Sequence, residues 1–376
     1  MPDVLIVGAG PVGTFLAAEL ARRGVDAEVW DRRAVVGDGT RAIGLHAPTL
    51  AALEAGGATD RILQRAVRVH RGEARSDGRL LGVVRFDRLR TRHPYVATLP
   101  QAETEAALAV GAPSPRRGVT VTAITADGDR MRVHSGAGDT AAPLVVVAGG
   151  AGARSLVYRP GRPAGAEYPD RYLMADAAVP PRDDHDVAVV HLGHAGVLES
   201  FPLPDDRRRF VAWDGGGDAD GDAPARLTRL RAALIARGEY AGAAAITAAT
   251  AFRVRRVVAP RLRRDRLFVI GDTAHEVSPI GGQGMNLGLL DAAGLAPLLA
   301  QWVRRGAAPE PELAAWERDR VGSARRAARL ATMNTTLGRP AAAAVSGVRA
   351  QAMRVALAAG GGLFARAYAM GFDSAR

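Results

Sequence analysis

Apolar positions along this chain recur with two different periods. Val4 to Val7 form a short apolar run ending in Gly8, after which Val12, Phe15, Leu16 and Leu20 recur at helical spacing up to Gly24. That pattern predicts a strand, a tight turn and a helix with a glycine stop. Ala27 to Trp30 reads as a second strand closing on Asp31, and helices are expected over Pro48 to Glu54 and Asp60 to Arg65. Short apolar runs between Val67 and Val96 give a weak strand signal, followed by a helix over Gln101 to Val110. Val119 to Ile124 and Met131 to His134, split by Asp127-Gly128, predict a hairpin. Leu144 to Val147 and Leu267 to Ile270 are continuous apolar runs, as expected of strands buried on both faces.

Between Asp186 and Trp213 the pattern is extended, with turns at Gly193-His194 and Pro204-Asp205-Asp206, which predicts part of an antiparallel sheet. Asp214 to Asp222 reads as a surface loop. Helices are expected over Arg226 to Arg237, from about Gly284, and through the Ala/Arg-rich chain beyond Glu312.

With 376 residues the chain has room for two interlocking units. It lacks cysteine, so disulfides, thiolate metal sites and a Cys nucleophile are excluded, and any redox chemistry must come from a cofactor. The net charge of +11 raises the question of nucleic acid. All 50 basic residues are arginine, however, dispersed through an Ala/Gly/Arg-rich chain and without interleaved aromatic platforms. No nucleic-acid partner is expected. The first strand begins at Asp3, which leaves no room for a signal peptide, and the apolar stretch Val355 to Ala365 falls short of the ~20 residues a membrane span needs. The reading is a cytoplasmic protein, monomer or homodimer, without stable membrane insertion.

Two motifs carry chemistry. Gly8-Ala9-Gly10-Pro11-Val12-Gly13 lies between a strand and a helix, where glycines allow a sharp turn and close approach of the backbone to a pyrophosphate at a helix N-terminus. Asp31, at the next strand end, can accept from an adenosine ribose and would repel a 2′-phosphate, which favours FAD or NAD over NADP at this site. The second motif runs from Gly271-Asp272-Thr-Ala-His275 to Pro279-Ile-Gly281-Gly282-Gln283-Gly284-Met285-Asn286. A carboxylate at a strand end can bind ribityl hydroxyls, and a glycine loop feeding a helix can aim N–H groups at a flavin pyrimidine edge, favouring the negative charge of the reduced ring. NAD needs no such second site; FAD does.

This pair of motifs resembles the class A flavoprotein monooxygenases, the para-hydroxybenzoate hydroxylase family, and especially members from aromatic polyketide biosynthesis. The resemblance covers most of the chain. It implies an α/β fold: a Rossmann-like FAD-binding domain (residues 1–70, 97–165 and 258–330) interleaved with an antiparallel β-sheet substrate domain (71–96 and 166–257), then C-terminal helices (331–376). Thr40-Arg41-Ala42-Ile43-Gly44-Leu45 is similar to the family's arginine segment, implying Arg41 near the FAD pyrophosphate, with Arg32 also beside the cofactor. Gln101 resembles the glutamine that contacts the ribityl chain, and Gly196 to Pro204 resembles a segment of the substrate sheet. The implied reaction uses NADPH or NADH to reduce FAD, then delivers one oxygen atom of O2 to an aromatic or polycyclic substrate, with Pro279 and Gly282 beside the reacting ring.

One departure stands out. Where the family carries an Asp-Gly pair before Arg-Ser, this chain has Ala151 ahead of Arg154-Ser155, which motivates a second reading as an FAD-binding cyclase or other non-redox flavoprotein. Flavin-dependent halogenases rely on a lysine, which is absent here. Of the histidines, His191 shares a strand face with Val187 and Val189 and is a candidate for the substrate cavity, while His275 is expected to fix its loop. The Arg253, Arg255, Arg256 cluster is a candidate attractor for an anionic substrate against a default of solvated surface. No Gly-x-Ser-x-Gly elbow and no zinc-like spacing occurs, so neither hydrolase chemistry nor a metal is predicted.

Overall fold

The computed structural model describes residues 1–35, 42–159, 161, 163–215 and 222–371. The amino-terminal run Val4–Val7 is the centre of a six-stranded sheet, parallel to Ala27–Asp31 on one side and to Leu144–Val147 on the other. Leu267–Val269 continues the parallel set beside Leu144–Val147. Side-chain alternation divides these strands between two cores. Val4, Ile6, Val29, Val146 and Phe268 pack on the helices Pro11–Ala21 and Gly284–Arg305 through Phe15, Leu16, Leu289 and Leu299. Leu5, Val7, Trp30, Val145 and Val147 face the other way, onto a three-stranded sheet through Ile124, Met131 and Val133. The expected hairpin is two of those strands, Val121–Asp127 and Arg130–Ser135, joined through Gly128 at φ 60°.

The second body is an eight-stranded sheet. In spatial order it runs from His275–Glu276 through Thr250–Val258, Gly165–Ala178, Arg207–Asp214, Gly196–Leu203, Val187–Gly193 and Arg71–Ser76 to Arg79–Arg85. Only the pair Val187–Gly193 with Arg71–Ser76 is parallel. Leu173, Leu198, Phe210 and Ala212 turn one face towards the helices Ala223–Ile235 and Tyr240–Ala245. The other face carries Met174, Val190, Leu192, Val197 and Val211.

Gly165–Ala178 and Thr250–Val258 have no counterpart among the strands expected from the pattern. Each carries polar residues, and their pairing shifts register between Glu167 and Arg171, beside Pro169. The alternation that announces a strand is broken there, and most of Thr250–Val258 is exposed, so apolar patterning does not mark it. The Ala-rich carboxy-terminal chain forms the helix Ala343–Tyr368, kinked at Gly360 (φ −126°, ψ 19°), and it lies on Arg79–Arg85. Gly82 allows that approach: a Cβ there would stand 2.7 Å from Leu357 Cβ.

The helix Gly284–Arg305 is fixed by the buried carboxylate of Asp291. One oxygen accepts from the Gly271 N–H at 3.1 Å and pairs with His275 Nε2 at 2.5 Å; the other accepts from Arg320 Nε at 2.9 Å. Burial pushes the carboxyl's pKa up, but His275 and Arg320 outweigh it and hold the group ionised. Removing one partner of such a pair strands the others in a dry site. Asp291→Asn is therefore expected to cost about 3 kcal/mol or more in urea unfolding, and a loss below about 1 kcal/mol would show that this clamp is not structural.

Candidate active site

A single cavity of about 880 Å³ runs between the two bodies, near the upper end of the roughly 300–1,000 Å³ typical of ligand sites. At one end it is lined by Gly8, Gly10, Pro11 and Val12, together with Asp31 and Arg32. Further along, Gln101, Gly271 and Asp272 reach it, and then Pro279, Gly282, Gly284 and Met285. The two motifs, 258 residues apart between Gly13 and Gly271 in sequence, thus share one space. They also touch: a Cβ on Gly271 would lie 3.4 Å from a Val12 methyl.

Two of the helices that begin at this cavity have starts without a side-chain cap. Pro11–Ala21 has Gly10 at its N-cap and Gly284–Arg305 has Gln283; neither has a side-chain cap or an acidic residue in its first turn. The amide donors and the positive dipole end are left for a ligand anion. Gly13 sits behind the turn, where a Cβ would fall 1.9 Å from the Gly8 carbonyl oxygen, so only glycine permits that helix to pack. At Gly10 the reverse holds: a Cβ meets nothing within 4 Å, and the cradle is open. These features fit a dinucleotide's pyrophosphate at the first helix and an electron-accepting ring at the second.

Other expected residues take up their positions with partners the sequence did not announce. Asp31 accepts from the Ala9 N–H at 2.7 Å and from Arg33, through its N–H at 2.8 Å and its side chain at 3.1 Å. Burial raises its pKa, yet Arg33 and the Ala9 amide outweigh that and hold it a carboxylate. Gln101 Oε1 accepts from Ala42 N–H at 3.3 Å and its amide donates to Glu105 at 2.8 Å. Arg41 lies outside the described residues.

Two expectations need correction. Asn286 does not face the cavity: fully buried, it accepts from the His46 N–H at 2.9 Å and donates to the carbonyls of Gly44 and Gly282 at 2.8 and 2.9 Å. It ties the late loop to the segment at residues 44–46. His191 is likewise absent from the cavity, because Val190 and Leu192, on the opposite parity of the strand, line it instead. His191 points to the helix side, 3.6 Å from Glu239. His275 is buried against Asp291 and away from the cavity, so it anchors the loop through a carboxylate. Of the arginine cluster, Arg253 and Arg255 stand at the cavity rim, with Arg255 3.3 Å from Glu167.

The segment with Ala151 is held to the late loop in another way. Arg154 donates to Glu276 Oε2 at 2.8 Å and to the Asp272 and Thr273 carbonyls, while Thr273 Oγ1 donates to the Gly150 carbonyl at 2.9 Å. Glu276 thereby gives Arg154 a carboxylate partner.

Sequence reasoning missed His46 and the cavity's roof. His46 is buried beside the glycine loop, a Gly282 Cβ being 3.7 Å from its Nε2, and neither ring nitrogen has a side-chain partner. Burial pushes its pKa down to about 4, against a smaller upward pull from the Gly282 and Gly281 backbone. The roof is Met353, Leu357, Phe364 and Tyr368 from the last helix, whose register its Ala-rich composition conceals.

Residues 1–331 match the family model described as FAD binding domain. The 6-methylpretetramide 4-monooxygenase of Streptomyces rimosus is 34% identical over 339 residues, covering 85% of this chain and 59% of that protein. The rifampicin monooxygenase of Rhodococcus hoagii is 32% identical, covering 85% and 68%. The chain spans about three fifths of the length of the first of these curated relatives. Among solved structures, p-nitrophenol 4-monooxygenase from Pseudomonas putida DLL-E4 has a TM-score of 0.84 at 24% identity, covering 100% of this chain and 98% of that one. The Diels-Alderase of pyrroindomycin biosynthesis shares the fold too, with a TM-score of 0.80 at 23% identity over 98% of this chain and 80% of that one. Among the described residues no helix is long and apolar enough to cross a membrane.

The depressed His46 pKa makes a pH prediction. Native His46 stays neutral down to about 4, whereas the unfolded imidazole protonates from about 6.5, so stability is lost as pH falls through that window. His46→Asn should flatten the acid limb of a thermal-melt series; an unchanged slope between those values would refute the assignment.

Proposed function

Because the chain belongs to the FAD binding domain family, we propose that it is an FAD-dependent monooxygenase that hydroxylates an aromatic or polycyclic, polyketide-like substrate. The observation that carries this reading is the shared cavity, polar and glycine-lined along one side and apolar beneath the eight-stranded sheet. Bound FAD supplies electron transfer from NADPH or NADH and the activation of O2.

The chain's own residues supply the rest. Backbone donors from the Gly8 to Gly13 turn hold the phosphates, with Asp31 at the ribose and Arg32 nearby. Asp272 and Gln101 serve the ribityl chain. The amides opening the helix at Gly284 and Met285 favour negative charge on the reduced ring. Pro279 and Gly282 flank the reacting region, and the apolar sheet face with the last helix excludes water. In this reading residues 1–70, 97–165 and 258–330 form the cofactor domain, 71–96 and 166–257 the substrate sheet, and 331–376 the C-terminal helical segment, in a cytoplasmic monomer or homodimer.

A second reading, an FAD-binding cyclase, draws on Ala151: no carboxylate stands at that position, and Arg154 is committed to Glu276. Anaerobic mixing with NADPH separates the two. Bleaching of the flavin, followed by oxygenated product on admitting O2 with a polycyclic phenol, is expected of the monooxygenase; flavin that stays oxidised while product forms belongs to the cyclase. Gly10→Glu tests the cradle itself. Its extended backbone (φ −82°, ψ −178°) and open surroundings admit a side chain, so the variant should fold with unchanged secondary structure yet lose its flavin. A variant that keeps wild-type flavin content would sink the assignment.

A further inference from the structure

On the cavity wall one carboxyl side chain, Glu199, has no counter-charge among the described residues. Glu199 lies on the strand Gly196–Leu203 and is 6% exposed, that remaining exposure opening into the cavity. Its neighbours across the sheet are Val190 on one side and Val211 on the other. Along its own strand the same face carries Val197 and Phe201.

The polar groups around it are already committed or neutral. Arg209, on the strand beside it, is gripped by Asp176 at 2.6 and 2.7 Å. Glu73 pairs with Arg75 and Glu276 with Arg154. From the last helix Tyr368 donates to Asn334 Oδ1 at 2.8 Å, and Tyr172, from the strand Gly165–Ala178, is a phenol whose ionisation burial suppresses. None of these offers Glu199 a cation. A carboxyl buried without one keeps its proton, and burial pushes this one up from 4.5 to about 8. At neutral pH it is an O–H donor on a stretch of cavity wall otherwise formed by Val190, Val197, Phe201 and Val211.

We infer that Glu199 is the specificity-determining donor for the substrate, giving its hydrogen bond to a carbonyl or phenolic oxygen on a flat, otherwise apolar polycycle and so fixing which edge of the rings faces the reacting region. This rests on the oxygenase reading for its consequence, since a donor at one fixed point of an apolar slot converts loose partitioning into a single pose. The site would reject a hydrocarbon of the same shape, because binding it leaves the buried O–H unpaired.

The stability of the protein should carry the same signature. Between about 4.5 and 8 the native state holds a proton that the unfolded chain releases, so stability falls as pH rises through that window. Glu199→Gln keeps a donor and removes the titration.

The test titrates flavin-loaded protein with 1,8-dihydroxyanthraquinone and with anthracene, reading flavin absorbance, for wild type, Glu199→Gln and Glu199→Leu. Wild type should prefer the quinone, and Glu199→Leu should weaken the quinone by about tenfold while leaving anthracene unchanged. Glu199→Gln should retain most of the preference and lose its decline towards alkaline pH, and its melting temperature should gain on wild type as pH rises. Equal quinone affinity in wild type and Glu199→Leu, equal losses for both ligands, or no wild-type preference would each overturn the inference. Wild-type protein that takes up no flavin would instead defeat the oxygenase reading; ligand fluorescence with the flavin-free chain would then still decide the role of Glu199 from the same ratios.

Discussion

A carboxylate with no access to water holds the late loop in place. Asp291 receives the Gly271 amide at a strand end, His275 four residues on, and Arg320 from the following helix, and the first two would be unpaired buried donors without it. Through Gly271 the clamp positions the residue that Val12 touches, and through His275 it sets the short strand pairing with Val257 and Val258. One ionised group thus couples the parallel sheet, the antiparallel sheet and the helix that opens at the cavity.

The cavity is built by opposition of surfaces. Its polar side comes from backbone: glycine turns, uncapped helix starts and carbonyl-tethered loops. Its apolar side comes from alternate residues of the large sheet and from the last helix. The helix side of the same sheet carries its own ionic cluster, Arg182 with Asp184 and Glu239, while on the cavity side Glu73, Arg209, Arg255 and Glu276 are paired with Arg75, Asp176, Glu167 and Arg154. Glu199 stands out on that face as an acidic side chain without such a partner among the described residues.

Legibility in the sequence followed the physics of each element. Val4 to Val7, Leu144 to Val147 and the glycine turn were readable because strands buried on both faces are continuous in apolar residues and a tight turn needs glycine. The strand Gly165–Ala178 was not, because Pro169 and a register shift interrupt its alternation. Site residues whose role depends on local backbone could be named; those whose role depends on burial could not. His191 and Glu199 illustrate the difference. Both sit on strands of one sheet, but only strand parity, fixed by pairing, sends His191 to Glu239 and Glu199 to the cavity. Arg33 and Glu276 were likewise invisible, since their partners come from elsewhere in the chain or from an unannounced side-chain turn.

The two bare helix starts have a thermodynamic corollary. Both positive helix ends and their amide donors converge on one chamber, so an anionic guest there gains from two dipoles at once. Cofactor uptake and conformational stability are then linked by mass action, and heat resistance becomes a property of free flavin concentration as much as of the polypeptide.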